Sequence, residues 1–284
     1  MPRSAKRSKN ARKKAAKNAR LPNAPLAEVV FELRWALAQG VAWQFDPLLM
    51  PLLPLFSKAM EEKKFFHATD ILHPQQVGPY GVVRRFYKDQ DSPYPIHQIG
   101  AGIYAANDSI QYEWEAFRAH VLVGVKALLE SYPTNLGYPL LPNYLELRYI
   151  DIFDKANLGS ASLFKFTETG TSLRLKAPTF LDDRKKFWGD ATGNLLFQKD
   201  LRDRKGSVFI VNVASGKRAE SNDNVIQVLS KVTSSTPGVP VLTNHRAFIK
   251  DVGNWLDFAH GILSPFFKDF IPREVIAKFK QVRK

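Results

Sequence analysis

Cysteine is absent from this 284-residue chain, methionine occurs three times, and no acidic residue falls within the first 20 positions. The first absence excludes disulfides, thiolate metal sites and a cysteine nucleophile. No apolar run approaches the roughly 18 residues that a membrane-spanning helix needs. Residues 1–20 contain no Leu, Phe or Ile, so they are neither a secretory signal nor an amphipathic transit peptide, and a cytoplasmic location is expected.

What the opening segment does contain is positive charge. Arg3, Lys6, Arg7, Lys9, Arg12, Lys13, Lys14, Lys17 and Arg20 supply nine of the net +14 charges, leaving +5 for the other 264 residues. Such a composition cannot bury enough apolar area to offset chain entropy, so residues 1–22 read as a disordered polybasic arm. Its alanines favour helix once the charges are neutralised. The arm is the strongest functional signal in the chain: these nine side chains are the candidate contacts to DNA, RNA or another polyanion, positioning without specifying sequence. A solubility tail is the plain alternative. The chain as a whole is 45% apolar with 12% aromatics, ample for a core.

After Pro25 the sequence Leu26-Ala-Glu-Val-Val-Phe-Glu-Leu-Arg-Trp35 alternates with period two, the signature of a half-buried strand. Residues 46–66 suggest a helix made irregular by Pro51 and Pro54. Gly81–Tyr87 and Ile96–Tyr104 outline a β-hairpin across a turn-rich segment, and Trp114, Phe117, Val121, Val125 and Leu128 mark an amphipathic helix from about 110 to 131. The second half then begins again. Leu145-Glu-Leu-Arg-Tyr149 echoes Phe31-Glu-Leu-Arg-Trp35, candidate strands follow at 162–168, 171–177, 194–199 and 206–214, and a long helix carries Phe248, Val252, Leu256, Leu263 and Phe266. The fold class expected is α+β, in two similar halves (23–142 and 143–284), each a mainly antiparallel sheet with a long helix. One α+β domain with two similar edge strands is the alternative.

Motifs that promise chemistry fail on context. Gly100-Ala-Gly-Ile-Tyr-Ala105 satisfies G-x-G-x-x-A, but Ile103 and Tyr104 continue a β pattern where a helix should open, so a glycine-twisted strand is expected there. Ser215-Gly-Lys217 lacks the first P-loop glycine and has Arg218 where Ser or Thr is needed; it reads as a turn. No G-x-S-x-G elbow occurs, and the six histidines show no metal-ligand spacing. Neither a cofactor nor a metal is expected. Asp182–Lys186 and Asp200–Lys205 read as solvated loops with local ion pairs.

Five residues remain as candidates for recognition or for a cleft between the halves: Glu32, Arg34, Glu146 and Arg148, at equivalent places in the echoed strands, and His260 on the apolar stripe of the last helix. If the outer face of the sheet is covered, the four charges form an ion-pair row across a pseudo-twofold; if it is open, they line a binding surface. A buried histidine bridging helix to sheet is the expectation for His260.

In their order, Pro25–Trp35, Ile96–Asn107 followed by Tyr112-x-Trp114, Leu147-Arg-Tyr-Ile-Asp151 and Leu256-Asp-Phe-Ala-His260 with Phe266 resemble a sporadically distributed, uncharacterised bacterial family of roughly 250-residue proteins. The resemblance covers about residues 24 to 270 and leaves the arm outside it. It implies no activity; the family's patchy distribution associates it with mobile-element and defence-related neighbourhoods. Asp257 would be the natural orienter of His260 were that histidine catalytic. The first expectation is therefore a non-enzymatic binding protein recognising a protein or ligand, with polyanion affinity from the arm; a second copy of the chain is a further candidate partner. The alternative is a hydrolase or nuclease using the five candidates in the cleft. A third reading is a sheet gripping a long helix around an apolar ligand cavity.

Overall fold

The alternating run after Pro25 forms the strand β1, Leu26–Trp35. Its echo lies in β6, Pro142–Phe153. The two are direct neighbours, antiparallel, at the centre of one sheet. This is a computed structural model describing residues 25–37, 47–73, 78–91, 94–109, 112–154, 193–217, 223–271 and 273–279. The polybasic arm, the candidate strands at 162–168 and 171–177 and the charged run 182–186 lie outside the described residues.

The other strands are β2 (His67–Asp70), β3 (Val82–Tyr87), β4 (Ile96–Gly100), β5 (Ile103–Asp108), β7 (Asn194–Asp200), β8 (Ser207–Lys217) and β9 (Asn224–Ser235). They complete a nine-stranded sheet of order β2-β3-β4-β5-β1-β6-β9-β8-β7, every pairing of which is antiparallel. The chain is thus an α+β protein with a large antiparallel sheet. The echoed strands lie at its centre and not at its edges. Their burial explains the period: Phe31, Leu33 and Trp35 of β1 and Leu145, Leu147 and Tyr149 of β6 belong to the core on one face, while Glu32, Arg34, Glu146 and Arg148 take the other.

Four α-helices are described: α1 (Leu49–Glu62), α2 (Trp114–Ser131), α3 (His245–Phe270) and α4 (Arg273–Phe279). The first three pack on the core face, where Phe56 of α1 meets Phe86 and Tyr104, and Trp255 of α3 meets Phe31. α2 and α3 run antiparallel, with Trp114 against His260, Arg118 bound to Asp257, and Leu122 beside Gly253. α3 buries Phe248, Val252, Trp255, Leu256, Ala259 and Leu263, each large side chain contributing about 1.5–3 kcal/mol of transfer free energy. The indole of Trp255 donates to Ser234 Oγ at 2.8 Å, so its one polar atom is satisfied in the core. A second, smaller cluster joins Phe153, Val211, Val213, Ile226 and Val228 to Phe270, Ile271, Val275 and Phe279.

Three local expectations are corrected. Ile96–Tyr104 is not one strand: β4 and β5 meet at the two-residue turn Ala101-Gly102, with Gly102 at φ +69°, a conformation that disfavours a side chain. The long helix opens at Trp114, with Tyr112 and Glu113 still extended or irregular ahead of it. Ser215-Gly-Lys217 is no turn but the end of β8, paired with Asn224–Ile226.

Candidate functional site

On the sheet face away from the helices, Glu32 and Glu146 stand directly opposite each other. Two like charges in that position repel, so each must be neutralised. Arg34 donates to Glu32 Oε2 through both Nε and Nη2. Arg148 spans the seam, giving Nη1 to Glu146 at 2.8 Å and Nη2 to Glu32 at 3.2 Å. Lys231, brought alongside by the pairing of β9 with β6, reaches Glu146 Oε2 at 2.9 Å, and the Tyr144 hydroxyl donates to the same oxygen at 2.6 Å. Burial alone would lift the Glu146 carboxyl, but the hydrogen bonds from Tyr144 and Lys231 and the charge of Arg148 outweigh it and hold the group below the ordinary carboxylate range. Burial and the nearby Glu146 together raise the Tyr144 phenol. Arg34 is sandwiched against the rings of Tyr80 and Tyr144 at 5.3 and 4.7 Å.

The four echoed charges are therefore mutually paired, and Glu146 is only 1% exposed. A general acid or base needs a proton it can exchange with substrate, and these groups are committed to one another. Lys231 and Tyr144 escaped sequence reasoning because only strand register places them there. Farther along the same face, Asn107 bridges Gln98 and Glu28, and Arg85 binds Gln98.

His260 lies on the opposite face of the sheet. Tyr149 belongs to β6 with the same parity as Leu145 and Leu147, so its ring points toward the helices, and its hydroxyl meets His260 Nδ1 at 2.7 Å. That is the expected bridge from helix to sheet. The same hydroxyl lies 2.7 Å from that of Tyr112. Trp114 stacks flat on the imidazole, with centroids 4.0 Å apart and planes 7° from parallel. Burial, with a smaller push from Lys268, lowers His260 to about 4, so the ring is neutral at pH 7. The proposed orienter Asp257 is engaged elsewhere: both its oxygens accept from Arg118, at 2.8 and 2.9 Å. Two strand residues from Tyr149, burial raises the Asp151 carboxyl to about 7.

Tyr112, Trp114, Tyr149 and Asp151 all fall in the segments that carry the family resemblance, yet none was singled out as a candidate. Spacing in sequence does not show that α2, α3 and β6 converge.

A second histidine cluster lies deeper. His97 of β4 and His120 of α2 stack at 3.8 Å between centroids, with Phe65 edge-on to His97. His120 Nε2 lies 3.1 Å from the Ile96 carbonyl, which can only accept, so the proton sits on Nε2. His97 Nδ1 contacts the Tyr104 hydroxyl at 2.8 Å. Burial lowers both imidazoles, His120 to about 4. Their surroundings are core, and no group of three or more metal-ligating side chains occurs among the described residues. A surface cleft of about 600 Å³, lined by Arg204, Lys205, Val239, Asp251 and Asn254 among others, shares no residue with either cluster. Among the described residues no helix is long and apolar enough to cross a membrane.

No family model, curated protein or solved structure matches the chain.

Proposed function

We propose that this chain is a binding protein: an α+β body of two similar halves, 23–142 and 143–284, that recognises a protein or ligand, carrying a polybasic arm that holds DNA, RNA or another polyanion. The observation that carries the reading is the segregation of charge. Nine cations and no acid occupy residues 1–20, whereas the candidate cations of the body, Arg34 and Arg148, are neutralised by Glu32 and Glu146. Net attraction for a polyanion is therefore concentrated in the arm.

Topology supports the two-halves reading. Outward from the β1/β6 seam the order is β5, β4, β3, β2 on one side and β9, β8, β7 on the other, and in chain order each series is followed by a long helix on the same face. Echoed residues obey the symmetry: Glu32 pairs with Glu146, Arg34 with Tyr144, and Arg148 with Val30. In this reading the charged seam is the joint between the halves, and the hydrolase or nuclease alternative loses four of its five residues to it. Membership of the sporadic bacterial family and a cytoplasmic location are part of the proposal.

Deleting residues 2–20 tests the arm. Retention on DNA or RNA at low salt should be largely lost while the body's melting temperature stays unchanged; undiminished retention would sink the claim.

A further inference from the structure

We propose that the cleft between α3, the loop joining β7 to β8 and the loop joining β9 to α3 is a ligand site for a small zwitterion of dipeptide size, its carboxylate held by Arg204 and its ammonium by Asp251. The inference rests on the binding reading of the body and names its ligand class.

Three pieces of chain that fix one another build this cleft. The loop from β7 to β8 closes on itself, with the Arg204 N–H donating to the Leu201 carbonyl at 3.1 Å and the Ser207 N–H to the Arg204 carbonyl at 3.0 Å. It is tied to the loop leaving β9 where the Ser235 N–H donates to the Gly206 carbonyl at 2.9 Å, and the Gly238 N–H donates to the Ser235 carbonyl at 2.7 Å. Gly206 stands at φ +81°, and a Cβ there would lie 2.6 Å from the Ser235 carbonyl oxygen, so the two loops meet at a distance that glycine alone allows. The third wall is α3, on which Asp251, Asn254 and Phe258 follow at three- and four-residue spacing and therefore share a face. The space between the three, about 600 Å³, falls within the range of small-molecule sites.

Arg204 is already set for a planar anion. Its guanidinium lies over the Phe258 ring, 5.4 Å from the centroid, and its Nε donates to the Gly238 carbonyl at 3.3 Å, so much of its side-chain freedom is lost before a ligand arrives. Nη1 and Nη2 have no hydrogen-bond partner among the described residues, and neither is sealed from solvent. Two N–H groups on a fixed, planar guanidinium match the two oxygens of a carboxylate.

Asp251 supplies the opposite charge. It is exposed on the same face of α3 as Phe258, two turns or about 10 Å away along the helix axis. Its charge acts on Arg204, yet the two form no ion pair. A cation and an anion held apart across one cleft are complementary to a molecule that carries both charges at its ends, and a dipeptide extended over about 7 Å is such a molecule. The rim adds one charge of each sign, Lys205 and Asp203, so the lining is neutral overall. That neutrality separates the cleft from the arm, because a polyanion would meet Asp203 and Asp251. Val239 and Pro240 offer apolar surface to a ligand side chain, and Asn254, between Asp251 and Phe258 on the helix, offers an amide to a peptide group.

The test titrates nitrogen-15-labelled full-length protein with L-alanyl-L-leucine, N-acetyl-L-alanyl-L-leucine and L-alanyl-L-leucinamide; the second lacks the ammonium and the third the carboxylate. The expected result is saturable binding of the free dipeptide in the millimolar range or tighter, with NMR shifts of the backbone amides of Arg204, Lys205, Gly238, Val239, Asp251 and Asn254, and about tenfold weaker binding of each capped peptide. This comparison needs no variant to fold. Arg204→Gln should abolish the preference for the free carboxylate and Asp251→Asn the preference for the free ammonium, each leaving the other preference in place, and Lys126→Gln, exposed on α2, should change neither. Absence of saturable binding, equal affinity for free and capped peptides, or shifts confined to residues away from the cleft would overturn the proposal. Retention of DNA is measured on the same two cleft variants and should be unchanged, so failure of this site and failure of the polybasic arm show as different results.

Discussion

Glu32 of β1 and Glu146 of β6, 114 residues apart in the chain, face each other across the central pair of the sheet, and Arg148 donates a hydrogen bond to each. Two carboxylates thus sit across the central strand pair, and their neutralisation is a condition of that pairing. Removing the bridging cation leaves a buried Glu146 short of a partner. Arg148→Met should cost about 3 kcal/mol, in the range for breaking a buried pair from one side, and Arg148→Met with Glu146→Gln should recover a good part of it. Urea denaturation of the single and double variants measures both numbers.

Asp151 makes the opposite use of burial. Its folded-state value of about 7 lies above the unfolded value, so the stability associated with its protonated form is fully present below pH 4 and is lost as pH rises through 7. Asp151→Asn should therefore leave stability at pH 4 nearly unchanged and raise it at pH 8 by of order 2–4 kcal/mol. Paired denaturation curves at the two pH values decide it.

His97 and His120 run the other way. Both are depressed below an ordinary imidazole by burial, so the stability they contribute is present above pH 6.5 and is lost as pH falls toward 4. Two stacked rings at 3.8 Å also oppose a second charge on the pair. In an NMR titration neither ring should take up a proton between pH 8 and 5, and His120 should titrate near 4 only as the protein begins to unfold. Titration of either near 6.5 in the folded protein would contradict this packing.

Gly124 lets α2 lie directly on β5. A Cβ built there would sit 1.8 Å from the Tyr104 hydroxyl and 2.6 Å from His97 Nδ1. Gly124→Ala should cost about 3 kcal/mol despite its favourable helix propensity, and Tyr104→Phe in that background should return part of the loss. The melting temperatures of the two variants provide the check.

Much of this fold is legible in the period of the side chains. The alternation from Leu26 to Trp35 places Phe31, Leu33 and Trp35 on one face and Glu32 and Arg34 on the other, and the echo at Leu145–Tyr149 repeats it. The three-and-four spacing of Phe248, Val252, Leu256 and Leu263 marks the buried stripe of α3. What period cannot supply is register. Lys231 becomes a partner of Glu146 only because β9 pairs with β6 at Arg148 opposite Lys231. Nor can it show that Tyr112, Tyr149 and His260 meet, since that depends on α2 and α3 crossing the same strand. The Ala101-Gly102 turn was obscured for a different reason: Ile99, Ile103 and Tyr104 keep the β pattern unbroken on both sides of it.

The central claim, that the arm and not the body attracts polyanions, is tested most directly by the salt dependence of binding. Full-length protein and a variant lacking residues 2–20 should be titrated with a short DNA duplex and with single-stranded RNA across a series of salt concentrations. The account predicts a log-log slope of up to about −8 for the full chain, from nine released counterions, and a slope near zero with weak binding for the truncated one. A truncated protein that keeps both affinity and slope would place the polyanion site in the body and contradict it.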